Sequence, residues 1–186
     1  MKTKFFPILL ATGVAAFATP AMTNATETDS NQLSFSCQTI DGVATTVAQS
    51  TAADAQIPIF HWKPEILANR TSDSPKELCN DVAQKLEAIS VDYDLSNINF
   101  IGTTIIPDGD IPTICANTGG PQCSKVLFSL NKTDEKASVV AGNVVDAILA
   151  QNLQPQKTVL TTRGVQSISY QVDFWSLLGL KFSNKY

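Results

Sequence analysis

The chain has 186 residues, 13 of them basic and 17 acidic, for a net charge of −4, with one histidine and four cysteines. An acidic chain without a Lys/Arg cluster lacks the cations that displace phosphate counterions, which excludes nucleic-acid binding. Its length is sufficient for one domain with a sizeable core.

The first residues read as a secretory signal. MKTK is basic, FFPILLATGVAAFA is apolar, and TPAMTNA ends in small residues. Cleavage is expected after Ala25, because Pro20 breaks the apolar helix just upstream; Ala21 and Ala18 are the alternatives. The apolar run, interrupted by Pro7, Thr12 and Gly13, falls short of the roughly 18 residues that a membrane anchor needs. Loss of Lys2 and Lys4 takes the mature charge from −4 to −6. Residues 26–32 read as a polar linker.

LSFSCQT alternates, with Leu33, Phe35 and Cys37 on one face of a strand. Asp41-Gly42 turns the chain into a hairpin with VATTVAQS. IPIFHW is a third strand, apolar on both faces, and its Pro58 marks an edge position. Ser74-Pro75-Lys76-Glu77 is a capping box that opens a helix, with Pro at the first helical position. Leu78, Val82, Leu86 and Ile89 then recur at helical spacing, with Cys79 and Ala83 on the same side and Asn80, Gln84 and Glu87 facing away.

A second round follows. INFIGTTII and IPTICA flank the turn Pro107-Asp108-Gly109-Asp110 and predict a hairpin. KVLFSLN predicts another strand. Thr133-Asp134-Glu135 is read as the start of a second helix, its acids suited to the positive end. Val140, Val144, Ala147 and Ile148 line its buried face, and Gly142 weakens it by about 1 kcal/mol relative to Ala. After Pro155, Ile168, Tyr170, Val172 and Phe174 alternate as a strand, and FWSLLGLKF ends in a crowd of apolar residues.

The expected fold is therefore α+β: one antiparallel sheet of about six to seven strands in βββα-βββα order, with two helices packed on it. The domain runs over 33–153, and 154–186 is a C-terminal strand with an apolar tail.

An even cysteine count behind a secretory signal reads as two disulfides. Cys37 and Cys79 sit on the inward faces of a strand and a helix, and Cys115 and Cys123 at the mouth of a hairpin, so the pairs expected are Cys37–Cys79 and Cys115–Cys123. The spacings are too wide for a zinc site with one histidine, and CANTGGPQC is no C-x-x-C redox motif.

Chemistry has few other candidates. His61 is the one side chain of ordinary near-neutral pKa, so a hydrolase reading would pair it with a nearby acid. No nucleophile elbow, metalloprotease or phosphate-loop motif accompanies it, and the structural reading is preferred. Asp92 and Asp94 read as solvated acids, and Asp108 and Asp110 as turn residues without the remaining calcium ligands. Asn69 and Asn131 head glycan-acceptor triplets. A thiol sensor through Cys115 and Cys123 is a further alternative. Phe174, Trp175, Leu177, Leu178, Leu180 and Phe182 form a possible contact with a membrane interface or a partner, against folding back on the domain. No cofactor or metal is implied.

FSC at 35–37, TTV at 45–47, Trp62, P-x-x-x-C-x-x-V at 75–82, I-C at 114–115, GGPQC at 119–123 and the LFSL strand together resemble the cyanobacterial circadian oscillating protein (COP) domain family, over about residues 33–150. The resemblance implies an exported or membrane-associated protein of the periplasm or thylakoid lumen with no established activity, and hence no catalytic residues to carry over. The family pattern has a basic residue, usually Arg, where this chain has His61.

Overall fold

A computed structural model describes residues 33–50, 54–68, 70–92, 98–104, 111–118, 122–162 and 165–178. The expected leader, the linker, and the turn at 107–110 lie outside these residues. The elements run β1 (Leu33–Ile40), β2 (Val43–Ser50), β3 (Ala55–His61), α1 (Pro64–Leu67), α2 (Pro75–Asp92), β4 (Ile98–Thr104), β5 (Pro112–Asn117), β6 (Lys125–Ser129), α3 (Ala137–Ile148), a 3₁₀ segment (Gln151–Gln156), β7 (Lys157–Thr162), β8 (Val165–Val172) and α4 (Phe174–Leu177).

The fold is α+β with antiparallel strands, as expected, but the eight strands among the described residues form two sheets instead of one. The first has the order β1-β2-β3, the second β6-β5-β4-β8-β7. Strand β3 does not pair with β4 because the chain leaves it through α1 and α2. Strand β4 instead takes β8, some 70 residues later, as its second neighbour, with Phe100 opposite Tyr170. Residues 157–178 are thereby built into the same body as the residues before 153.

Local sequence explains several elements. Ile40 pairs with Val43 across a two-residue turn, and Asp41 (φ 50°) and Gly42 (φ 80°) both adopt the left-handed conformation that such a hairpin requires. The capping box is closed. The Glu77 N–H donates to Ser74 Oγ at 3.3 Å, and the Ser74 N–H donates to the Glu77 carboxylate at 2.8 Å. The Ser74 backbone N–H first, and the Ser74 hydroxyl second, hold the Glu77 carboxyl below the usual range.

Helix α3 starts later than its sequence suggests. Thr133 Oγ1 accepts from the Glu135 N–H in a tight local turn, and the helix begins at Ala137 with Lys136 as a cap that supplies no side-chain bond. A hydroxyl satisfied within its own turn is not available to start a helix. Gly142, which costs helix propensity, has a packing reason: a Cβ there would collide with the side chain of Ile168 on β8. A Cβ on Gly102 of β4 would stand 2.7 Å from Gly142 N and 2.8 Å from Ala141 C. The two glycines let α3 lie against the sheet at backbone distance.

The core is continuous between the two sheets. Rings run in a chain from Phe35 to Phe174 (centroids 5.7 Å), Phe100 (6.5 Å), Phe60 (4.8 Å), Trp62 (5.6 Å) and Phe128 (5.2 Å). Each pair at such distances adds about 0.5–1.5 kcal/mol beyond burial. The chain visits β1, α4, β4, β3 and β6, so neither sheet has a core of its own.

Sheet edges expose unpaired backbone groups and invite association. Three of the four are blunted from within. At β1 the Phe35 N–H donates to the Glu87 carboxylate at 2.6 Å. Glu87 thus does not face away as the helical wheel predicts, because α2 lies alongside this strand. At β6 the Lys85 ammonium donates to the Leu127 carbonyl at 2.7 Å, and also to Asp81. At β3 the Ala150 N–H donates to the Ile59 carbonyl at 2.8 Å, and Phe60 bridges Leu149.

Candidate functional site

Strand β1 and helix α2 bring Cys37 and Cys79 to a Cα–Cα distance of 5.4 Å, and they form one disulfide. Cys115 and Cys123 form the other at 5.3 Å. Both pairs are those expected from the inward faces and the hairpin. No cysteine is free. Cys79 and Cys115 are fully buried.

Around the first bridge lies a polar relay inside an otherwise apolar core. Cys37 stands opposite Thr46 in the β1–β2 register. The Trp62 indole Nε1–H donates to Thr46 Oγ1 at 2.8 Å. That hydroxyl in turn reaches the Cys79 carbonyl at 3.5 Å. Trp62 and Thr46 are both wholly buried, so the indole N–H has a partner and the hydroxyl has both a donor and an acceptor. Sequence reasoning singled out Cys37, Trp62 and Cys79, and took in Thr46 only as part of the TTV motif, with no role of its own. The signal was there in Thr45-Thr46, a polar pair inside an apolar strand.

Cys115 faces the other way. It is in register with Ile101 of β4, on the opposite face from Phe100 and Gly102 and hence from α3. Its bridge ties the end of β5 to the residues that lead into β6, where Ser124 Oγ lies within hydrogen-bond reach of the Ala116 carbonyl and of Asn117 Oδ1.

His61 ends β3 and lies opposite Thr45. Its Nδ1 is 3.3 Å from Thr45 Oγ1, and that hydroxyl also donates to the Val43 carbonyl at 3.1 Å. The direction of the bond between His61 Nδ1 and Thr45 Oγ1 follows the tautomer of the ring. Partial burial, and secondarily the Lys63 cation, hold the imidazole below its ordinary value. Thr45 and the Lys63 cation are the neighbours that bear on the ring, and among the described residues no carboxylate is bonded to it. Asp94, Asp108, Asp110 and Asn69 lie outside the described residues, as does the side chain of Asp92. Asn131 is exposed between β6 and α3. Among the described residues no group of three His, Cys, Asp or Glu side chains comes together to hold a metal ion.

The C-terminal apolar residues are divided by the fold. Asp173 caps the single turn of α4 by accepting from the Ser176 N–H at 3.1 Å. This cap turns Phe174 wholly inward and buries Leu178, while Leu177 stays 41% exposed. Phe174 and Leu178 therefore belong to the core and are closed to an outside partner. The Trp175 side chain, Leu180 and Phe182 lie outside the described residues.

The residues that brace the core are also those that make up the sequence resemblance, and a family model gives the same result over a longer stretch. The model of circadian oscillating protein COP23 matches residues 34–178. The chain belongs to the COP23 family. The match extends past the 33–150 seen in the motifs and takes in β7, β8 and α4, the elements that complete the larger sheet and the ring chain. The COP23 motif residues Cys37, Thr46, Trp62, Cys79 and Cys115 are thus internal to the domain. No curated protein and no solved structure matches the chain. Among the described residues no helix is long and apolar enough to cross a membrane.

Proposed function

We propose that this COP23 domain is an exported, disulfide-braced scaffold that catalyses no reaction of its own and works by presenting its outer surface to a protein partner. In a cyanobacterium the compartment would be the periplasm or the thylakoid lumen. The observation that carries the reading is that all four cysteines are consumed in two bridges, an arrangement that persists in an oxidising compartment. The environment of His61 supports the non-catalytic part, since its close neighbours are a hydroxyl and a cation. The inward turn of Phe174 and Leu178 supports a protein partner over a membrane surface, because it withdraws two of the six apolar tail residues that a bilayer would hold.

Expression of the full chain in a bacterium, followed by N-terminal sequencing and non-reducing peptide mapping, tests export. The expected product starts after Ala25 and carries both bridges; a retained Met1 with alkylatable cysteines overturns the reading. Vesicle co-sedimentation tests the choice of partner. Neither the native chain nor Leu177→Ser should sediment; sedimentation that Leu177→Ser abolishes would restore the membrane version.

A further inference from the structure

The two bridges differ in what surrounds their sulfurs. Cys79 is fully buried, Cys37 is half-buried against the core, and Thr46 Oγ1 lies 3.8 Å from Cys79 Sγ. In the second bridge Cys115 is likewise fully buried, but Cys123 is exposed. Gln122, Ser124, Lys125 and Val126 are exposed with it, so Cys123 stands in an open run of chain that leads into β6. The backbone around this bridge is also held by other means. Cys115 and Ala116 of β5 pair with Val126 and Lys125 of β6, and Ser124 Oγ reaches the Ala116 carbonyl and Asn117 Oδ1. These contacts keep Cys123 beside Cys115 whether or not the sulfurs are joined. Cys37–Cys79, by contrast, ties a strand to a helix 42 residues further along.

We propose that Cys115–Cys123 is an exchange site for a protein dithiol, which reduces this bridge on the folded chain through Cys123 and leaves Cys37–Cys79 closed. The loop is the substrate of the exchange and not its catalyst, in keeping with its lack of a C-x-x-C motif. The inference goes beyond the scaffold reading and can fail without touching it. Exchange begins with a thiolate attacking one sulfur of a disulfide, so access selects the sulfur. Here a thiolate of the dithiol bonds to Cys123 Sγ as the Cys115–Cys123 bond breaks. The released electron pair goes to Cys115 Sγ, which takes up a proton because burial disfavours the thiolate. The second thiolate of the dithiol then attacks its own partner sulfur in the mixed disulfide and frees Cys123, which is protonated in turn. The dithiol ends as a disulfide, and its two electrons and two protons end on Cys115 and Cys123. A buried leaving group slows the first step, which favours a protein that docks along Gln122–Val126 over a small free thiol.

The purified full chain with both bridges formed is incubated with reduced thioredoxin as the probe, alkylated, and mapped as peptides without reductant. Cys115 and Cys123 should be alkylated while Cys37 and Cys79 remain joined. Near-ultraviolet circular dichroism should be retained, because the packing around Trp62 does not involve the bridge that opens. A thioredoxin whose second active-site cysteine is replaced by serine cannot complete the exchange and should stay coupled to Cys123. Both measurements use the unsubstituted chain, so no variant of it has to fold. Opening of the two bridges together, survival of Cys115–Cys123 in excess thioredoxin, or coupling of the trapping form at Cys37 would each overturn the proposal. So would loss of the near-ultraviolet signal on reduction of Cys115–Cys123, since exchange would then require unfolding.

Discussion

Gly102→Ala puts the approach of α3 to the backbone of β4 to a direct test. Ordinary van der Waals contact begins near 3.4 Å, and the new Cβ would stand 2.7 Å from Gly142 N, so α3 and β4 must part by about 0.7 Å. The obstacle is helix backbone, with no side chain able to swing aside. Moving α3 also loosens Val140, Val144 and Ile148, all buried beneath it. Overpacking of this kind costs about 1–3 kcal/mol. Reduced freedom of the unfolded chain returns about 0.4–1 kcal/mol of that. The net expectation is a loss of about 1–2 kcal/mol, or about 2–8 °C in Tm for a domain of this size. Urea melts with both disulfides intact would measure it, and an unchanged m would show that stability alone has moved. A variant as stable as the parent would refute the backbone-distance contact. Gly142→Ala is the companion case: helix propensity alone expects a gain of about 1 kcal/mol, whereas collision with Ile168 predicts a loss.

Thr46→Val keeps the shape but leaves the Trp62 indole N–H without its acceptor, which should cost about 1–3 kcal/mol and shift the tryptophan emission; unaltered emission and stability would remove the relay. Replacing Cys37 and Cys79 by serine should destabilise more than replacing Cys115 and Cys123. Loop entropy gives about 4 kcal/mol against about 2.6 for the two loops, and equal Tm losses would contradict the ranking. His61 carries a pH signature: its folded value lies below the ordinary 6.5, so the neutral ring's contribution is complete above that pH and is lost as pH falls from 6.5 toward the folded value. Thermal stability should decline on acidification through that window, and His61→Gln should flatten the slope; a slope of opposite sign in the parent would contradict the assignment.

What could be read from the sequence was whatever depends on residues close together. The capping box at Ser74–Glu77, the Asp41-Gly42 hairpin and the edge position of Pro58 are each set by a few neighbouring side chains. The inward faces of Cys37 and Cys79 follow from period alone, and they were enough to fix the pairing. Partnerships at long range were not legible. Nothing near β4 announces β8 as its neighbour, so one sheet was expected where there are two. Glu87 lies on the polar side of a helical wheel, yet a strand edge supplies it with a donor. Thr133-Asp134-Glu135 has the composition of a helix start, but its hydroxyl closes a turn first. The tail residues were weighed as one apolar group, whereas the cap at Asp173 sorts them individually, with Phe174 inward and Leu177 outward. Thr46 was visible only as a motif letter, because its role comes from Trp62, sixteen residues away.

The position of Phe174 in the ring chain governs how the molecule is made. Its ring touches Phe35 at the start of the body and Phe100 in the middle, and the strand leading to it closes the larger sheet. A nascent chain that has emerged from the ribosome only as far as α3 therefore has both halves of its interior open to water. Completion waits for β8 and α4, so the interior cannot close until they have left the ribosome.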